Sequence, residues 1–164
     1  MIWKFWRKPT FFIEPASEGD LQALADIHAA GFSETWDEDA IAGLAASRGM
    51  ICLVARPDSA REEPAAFVLV RNSGEEAEII TIAVAPQWRG CGAGRALMDH
   101  VVRHLQAERA QKLFLEVNEQ NRAALALYRA LGFRQVGTRK GYYKSDASKA
   151  AGASNALVME LSLA

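Results

Sequence analysis

A glycine-rich segment, Arg89-Gly90-Cys91-Gly92-Ala93-Gly94-Arg95, constrains the fold more than any other stretch of the chain. It joins an apolar strand, predicted over residues 78–84, to an amphipathic helix predicted from about residue 94 to residue 110. The N–H groups of this segment and the helix N-terminus would converge on one point, which suits an anion such as a pyrophosphate. Glycines let a backbone approach such a ligand closely. A segment of this kind can also simply join a strand to a helix.

Two common phosphate-binding motifs do not match the segment. It has no Gly-Lys-Ser/Thr, which a P-loop requires, and its glycines are spaced G-x-G-x-G rather than the G-x-G-x-x-G of a dinucleotide site. What remains is a spacing led by arginine, Arg89-x-x-Gly92-x-Gly94.

Composition places the chain among ordinary globular proteins of one domain. Of its 164 residues, 50% are hydrophobic and 24% charged, and the net charge of −1 gives no overall field that would attract nucleic acid, which binds a strongly basic face or stripe. Cys52 and Cys91 lack the clustered spacing of a zinc site, so we expect free thiols, no metal and a cytoplasmic location. No apolar run approaches the roughly 20 residues of a membrane span. We expect a tail over residues 1–10 and one domain over residues 11–164.

Hydrophobic patterns predict alternating strands and helices, and hence a mixed α/β fold. Ser17 and Asp20 have the spacing of a capping box before the first helix, and Gly132 is placed to end the last one. On the first helix we expect His28 to be a core or interface histidine rather than a ligand. Trp36 either packs against the core or forms the floor of a substrate cleft. The predicted strands cover residues 11–15, 50–55, 65–71, 78–84, 112–117, 133–138 and 155–163, and the predicted helices cover residues 17–30, 37–47, 94–110 and 121–131.

The arginine-led spacing resembles the acyl-CoA pyrophosphate loop, Q/R-x-x-G-x-G/A, of the GNAT superfamily of N-acetyltransferases. This resemblance covers nearly the whole chain, and within the superfamily it is closer toward the ribosomal-protein-alanine N-acetyltransferases. It is carried by residues 78–84, 90–95, 113–117, 121–133, 139–143 and 156–161. It implies a mostly antiparallel sheet flanked by helices, with a parallel, splayed pair of strands at the acetyl-CoA site. The co-substrate contacts it implies are Ile82, Ala83, Val84, Arg89, Gly90, Cys91, Gly92, Ala93, Gly94, Arg95 and Asn121.

The same resemblance implies two catalytic residues, Glu116 as general base and Tyr128 as general acid. Glu116 lies on a strand that is otherwise apolar, where desolvation would favour a useful base, but it would equally suit the solvated side of an alternating strand. Tyr128 follows Asn121 by two helical turns and could protonate a departing thiolate, or simply pack its helix. Cys91 lacks a histidine partner in sequence, so a nucleophilic role is disfavoured.

The acceptor predicted by the resemblance is the N-terminal α-amine of a protein, such as a ribosomal protein that begins with alanine. Arg139, Tyr142 and Tyr143, together with Trp36, are the expected substrate contacts. The alternatives are a small-molecule amine, a lysine side chain, or an acetyl-CoA-binding module without catalysis. Lys144 and Asn155 stand where the family tends to have proline and aspartate, on the acceptor side. The sequence does not indicate the oligomeric state.

Overall fold

The computed structural model describes residues 7–143 and 153–164. Most of the expected tail (residues 1–6) and of the loop before the last strand, including Lys144, lies outside the described residues. The strands are β1 (Phe11–Pro15), β2 (Met50–Pro57), β3 (Ala66–Asn72), β4 (Glu76–Val84), β5 (Lys112–Asn118), β6 (Arg134–Tyr143) and β7 (Ser154–Ser162). The helices are α1 (Leu21–Gly31), α2 (Glu38–Ala45), α3 (Ala93–Ala107) and α4 (Arg122–Leu131), with short 3-10 turns at Glu18–Asp20 and Pro86–Trp88.

The strands form one sheet of seven in the order β1-β2-β3-β4-β5-β7-β6. β4 and β5 pair in parallel from Glu76↔Lys112 to Glu78↔Phe114, whereas β1–β2, β5–β7 and β6–β7 are antiparallel. This confirms the predicted mixed α/β class with one parallel pair. The chain divides into two compact units, residues 1–70 with 81–103 and residues 71–80 with 104–164. The expectation of one domain over residues 11–164 stays a prediction.

In the first unit, apolar side chains of α1, α2, β3 and α3 are fully buried, among them Leu24, Ile41, Phe67 and Leu97. The capping box is confirmed, because the N–H of Ser17 donates to the Asp20 carboxylate at 2.8 Å. The same carboxylate accepts two hydrogen bonds from the Arg56 guanidinium, at 2.8 and 2.9 Å. This ion pair connects the start of α1 to β2.

In the second unit, β5 pairs with β7 along its whole length, from Lys112↔Ser162 to Asn118↔Ala156. Its alternating side chains Leu113, Leu115 and Val117 are buried. α4 ends as predicted at Gly132, whose φ of 101° gives the left-handed conformation of a helix C-cap.

Two elements, α3 and β6, end three or more residues away from their predicted ends. α3 ends at Ala107 rather than at residue 110, because Arg109 adopts a φ of 63° and the N–H of Ala110 returns to the Leu105 carbonyl. β6 continues to Tyr143 rather than ending at residue 138, because irregular pairing with β7 extends it. Both differences depend on backbone hydrogen bonds that hydrophobic periodicity does not report.

Candidate functional site

The loop before α3 has the geometry expected of an anion-binding turn. Gly90 and Gly92 have φ values of 72° and 93°, and a Cβ added at either would meet no atom within 4 Å. The N–H of Ala96 donates to the Gly92 carbonyl at 3.0 Å, which is the first hydrogen bond of the helix. The N–H groups of residues 92–95 precede this bond, so they have no carbonyl within the helix to donate to. Open space and unpaired helix-start amides fit an anionic ligand.

The polar side chains predicted for this loop contact the protein itself. Arg89 donates to the carbonyls of Val84 at 3.3 Å and Ala30 at 3.4 Å, so its guanidinium links the ends of β4 and α1. Arg95 pairs with Asp99 one helical turn later, at 3.1 Å. Cys91 Sγ lies 3.7 Å from the carbonyl oxygen of Arg89, in the same loop. Their contacts with a co-substrate stay predictions.

The strand leading into the loop alternates in burial as a half-covered strand should. Ala83 is buried, while Ile82 and Val84 are partly exposed. Within the described residues, the buried hydroxyl of Thr81 on the same strand has no hydrogen-bond partner. Contact of residues 82–84 with the pantetheine arm of a co-substrate stays a prediction.

His28 lies in the core as predicted, with only 2% of its surface exposed. Its imidazole is stacked on Phe32 and on Trp36, at centroid distances of 4.5 and 4.3 Å. Burial lowers the pKa of His28, an effect that the charge of Glu34 partly opposes. Trp36 therefore packs against the buried His28, in agreement with the first of its two interpretations. A contact of Trp36 with a substrate stays a prediction.

Glu116 lies in an open cleft of the second unit. Because β5 alternates, Phe114, Glu116 and Asn118 lie on the partly exposed side of the strand while their neighbours are buried. The cleft has a volume of about 350 Å³. It is lined by Arg71, Ser73, Glu76, Ala77, Glu78, Phe114, Leu115, Glu116 and Val158.

The Glu116 carboxylate is held by an arginine rather than isolated among apolar side chains. Arg139 Nη1 donates to both of its oxygens, at 2.9 and 3.1 Å. The guanidinium carbon of Arg139 also lies 4.5 Å from the centroid of the Tyr142 ring, in cation–π geometry. The structure thus brings together three of the predicted residues. Tyr143 is the last residue of β6, and its backbone pairs with Ser154.

The two predicted residues of the α4 region differ in exposure. Asn121 is exposed and N-caps the helix, its side-chain oxygen accepting from the Ala124 N–H at 3.2 Å. Tyr128 is 5% exposed and its ring lies 5.7 Å from that of Phe133. Both interpretations of Tyr128 survive, because a buried phenol can pack its helix and still present its hydroxyl group.

Sequence reasoning missed the other charged residues that line the cleft with Glu116, namely Arg71, Glu76 and Glu78. A signal for the two glutamates was present, since residues two apart on a strand point to the same face. Nothing in the sequence indicated that Arg139 would pair with Glu116, 23 residues away.

Within residues 7–143 and 153–164, no helix combines the length and the apolar character needed to cross a bilayer. Nor does any group of three or more histidine, cysteine, aspartate or glutamate residues there come together as metal ligands would.

Comparison with known proteins shows the family of the chain. The sequence model of the Acetyltransferase (GNAT) family matches residues 9–133. The ribosomal protein bS18-alanine N-acetyltransferase of Salmonella typhimurium (strain LT2) is 32% identical over 145 residues, covering 88% of this chain and 93% of that protein. The protein of the same name from Escherichia coli (strain K12) is 37% identical over 97 residues, covering 59% of this chain and 63% of that protein.

A solved structure gives the same result. The crystal structure of the ribosomal-protein-S18-alanine N-acetyltransferase from Escherichia coli matches with a TM-score of 0.82 at 28% identity, covering 94% of this chain and 95% of that one. A family match over most of the chain, a relative above 30% identity and a shared fold agree with one another. The chain therefore belongs to the GNAT family and is an N-acetyltransferase.

Proposed function

We propose that this enzyme transfers the acetyl group of acetyl-CoA to the N-terminal α-amine of a protein, specifically a ribosomal protein that begins with alanine. The observation that carries the proposal is the position of Glu116, open to solvent in a cleft and oriented by Arg139. The names of the relatives, ribosomal protein bS18-alanine N-acetyltransferases, support this acceptor. The free thiols of Cys52 and Cys91 support a cytoplasmic location.

Acetyl-CoA fits the residues of the first unit. Its pyrophosphate is a multiply charged anion, and the loop at residues 90–95 offers helix-start N–H groups behind two glycines with positive φ. We assign the pyrophosphate to these amides and, from the family resemblance, the pantetheine arm to the backbone of residues 82–84. The family resemblance also assigns Asn121 to the co-substrate, while its side-chain oxygen caps α4.

The reaction forms a bond from the amine nitrogen to the acetyl carbon and breaks the bond from that carbon to sulfur. In the proposal, Glu116 accepts the proton that the amine must lose, directly or through a water molecule. Tyr128 donates its phenolic proton to the departing thiolate. Acetyl-CoA supplies the activated acyl group, and each residue moves one proton.

The pKa of the acceptor favours an α-amine. An α-amine has a reference pKa of about 7.7–8.0 and a lysine side chain about 10.4, so removing the lysine proton near neutral pH costs roughly 3–4 kcal/mol more. A carboxylate is a weak base, and it suits the more acidic amine. A cation–π pair of Arg139 and Tyr142 beside Glu116 offers both charge and an aromatic surface to a peptide backbone.

The test is a thiol-release assay with acetyl-CoA and a panel of acceptors. The panel contains peptides with a free N-terminal alanine, the same peptides with a blocked N-terminus and one lysine, and polyamines. We expect turnover with the free α-amine only. Turnover confined to polyamines or to lysine would reject the proposed acceptor, and no turnover with any amine would favour a binding module without catalysis.

A further inference from the structure

Asn155 lies opposite an irregular stretch of β6. In the pairing of β6 with β7, Arg139 is opposite Ala156 and Tyr143 is opposite Ser154. Residues 140–142 of β6 therefore face Asn155 alone, which makes this stretch a bulge. At its centre Gly141 has a φ of 64°, in the left-handed region that favours glycine.

Both ends of the Asn155 carboxamide are used. Its side-chain oxygen accepts from the Gly141 N–H at 2.9 Å. Its side-chain nitrogen and its backbone N–H donate to the two oxygens of Glu119, at 3.4 and 3.0 Å. The backbone N–H of Glu119 in turn donates to the Asn155 carbonyl at 3.0 Å. Asn155 thus connects the centre of the β6 bulge to the turn that follows β5.

These two segments bear the residues proposed to meet the acceptor. Glu119 follows Glu116 on the chain by three positions, and Gly141 lies between Arg139 and Tyr142. Arg139 in turn holds the Glu116 carboxylate and lies over the Tyr142 ring. A movement of the bulge would therefore change how Arg139 and Tyr142 are presented at Glu116.

We propose that Asn155 and Glu119 are positioning residues that hold the β6 bulge and thereby keep Arg139 and Tyr142 in the arrangement that binds the acceptor beside Glu116. The inference rests on the proposed function, because it assumes that the acceptor binds beside Glu116. It requires an amide at position 155, since this side chain must accept from Gly141 and donate to Glu119. An aspartate would keep the first bond, lose the second and face a like charge.

The test exchanges donor and acceptor between the two positions. Asn155→Asp alone should lower kcat/KM for the acceptor on the order of tenfold, the effect of losing one hydrogen bond to a charged group. The change should appear mainly in the acceptor KM, with the acetyl-CoA KM within about twofold of wild type. In the double variant Asn155→Asp/Glu119→Gln, the new amide at position 119 can donate to the new carboxylate, so most of the loss should be recovered. Glu119→Gln alone completes the cycle.

Asn72 offers a matched control. Its side-chain oxygen accepts from the Gly74 N–H at 3.0 Å and its side-chain nitrogen donates to Glu108, which repeats the chemistry of Asn155 at a different turn. Asn72→Asp should therefore give a similar change in thermal stability and leave the acceptor KM unchanged. An equal effect of Asn72→Asp on the acceptor KM would overturn the inference.

A second measurement does not depend on activity. Hydrogen exchange at the backbone amides of Asn155 and Glu119, whose bonds join the two segments, should be faster in Asn155→Asp and slow again in the double variant. If Asn155→Asp leaves both this exchange and the acceptor kinetics within about twofold of wild type, or if the double variant recovers neither, the inference is wrong. If the wild type uses a small amine instead of an α-amine, the proposed function fails, and the same variants are assayed with that small amine.

Discussion

Replacing Gly92 with valine separates ligand binding from folding in the loop before α3. Gly92 has a φ of 93° and open space where a side chain would project. Within the protein the substitution therefore costs only backbone strain. In the proposed complex, however, the same side chain would stand where the phosphate groups approach the amides of residues 92–95.

Gly74 allows the two effects to be compared. It has a φ of 107° and likewise no atom within 4 Å of an added Cβ, but it lies in the turn between β3 and β4. A valine in this region of φ costs on the order of 1–3 kcal/mol at either position. In a chain of this size each kcal/mol lowers Tm by roughly 2–4 °C. Loss of one charge-assisted hydrogen bond to phosphate costs about 1.5–3 kcal/mol, or roughly 10- to 100-fold in acetyl-CoA affinity.

The assay is calorimetric titration with acetyl-CoA, together with thermal denaturation of each variant. We expect Gly92→Val and Gly74→Val to lose similar amounts of stability and only Gly92→Val to lose affinity. The assignment of the pyrophosphate to this loop would be refuted by a folded Gly92→Val that binds acetyl-CoA as tightly as wild type. It would also be refuted if Gly74→Val lost affinity to the same extent.

Three further predictions concern single side chains. Glu116→Gln should lower kcat/KM on the order of 10²- to 10⁴-fold at low pH, and kcat/KM should recover partly as rising pH deprotonates the amine. A pH–rate profile of the variant without this recovery would exclude Glu116 as the base. Tyr128→Phe keeps the buried ring, so the fold should persist while kcat falls across pH 6–9. Activity within about twofold of wild type over this pH range would remove Tyr128 from the mechanism. Burial raises the pKa of Asp20, but hydrogen bonds from Ser17 and Arg56 outweigh it and leave that pKa lowered. Asp20→Asn should therefore lower the free energy of unfolding by about 3 kcal/mol near neutral pH. The difference in unfolding free energy between the variant and the wild type should shrink as pH falls below about 4, and urea titrations at several pH values would measure it. A difference that grew in acid would contradict the ion pair.

The expectations about Glu116 show where sequence reasoning reached its limit. Alternation along β5 was one of the two interpretations of Glu116, and the structure agrees with it, because Glu116 lies on the opposite side of the strand from Leu115 and Val117. The pairing with Arg139 was not readable, because it depends on β7 lying between β5 and β6 in the sheet. Local periodicity reports which face a side chain takes and not which distant residue shares that face.

By itself the sequence determined the features that depend on neighbouring residues. The order of strands and helices, the cap at Ser17, the left-handed stop at Gly132 and the glycine loop each arise from local backbone chemistry. Only the tertiary structure decided the order of β5, β7 and β6, the bulge opposite Asn155 and the partner of Glu116. These arise from hydrogen bonds between segments far apart on the chain, whose register is set when the strands pair and which no short stretch of sequence encodes.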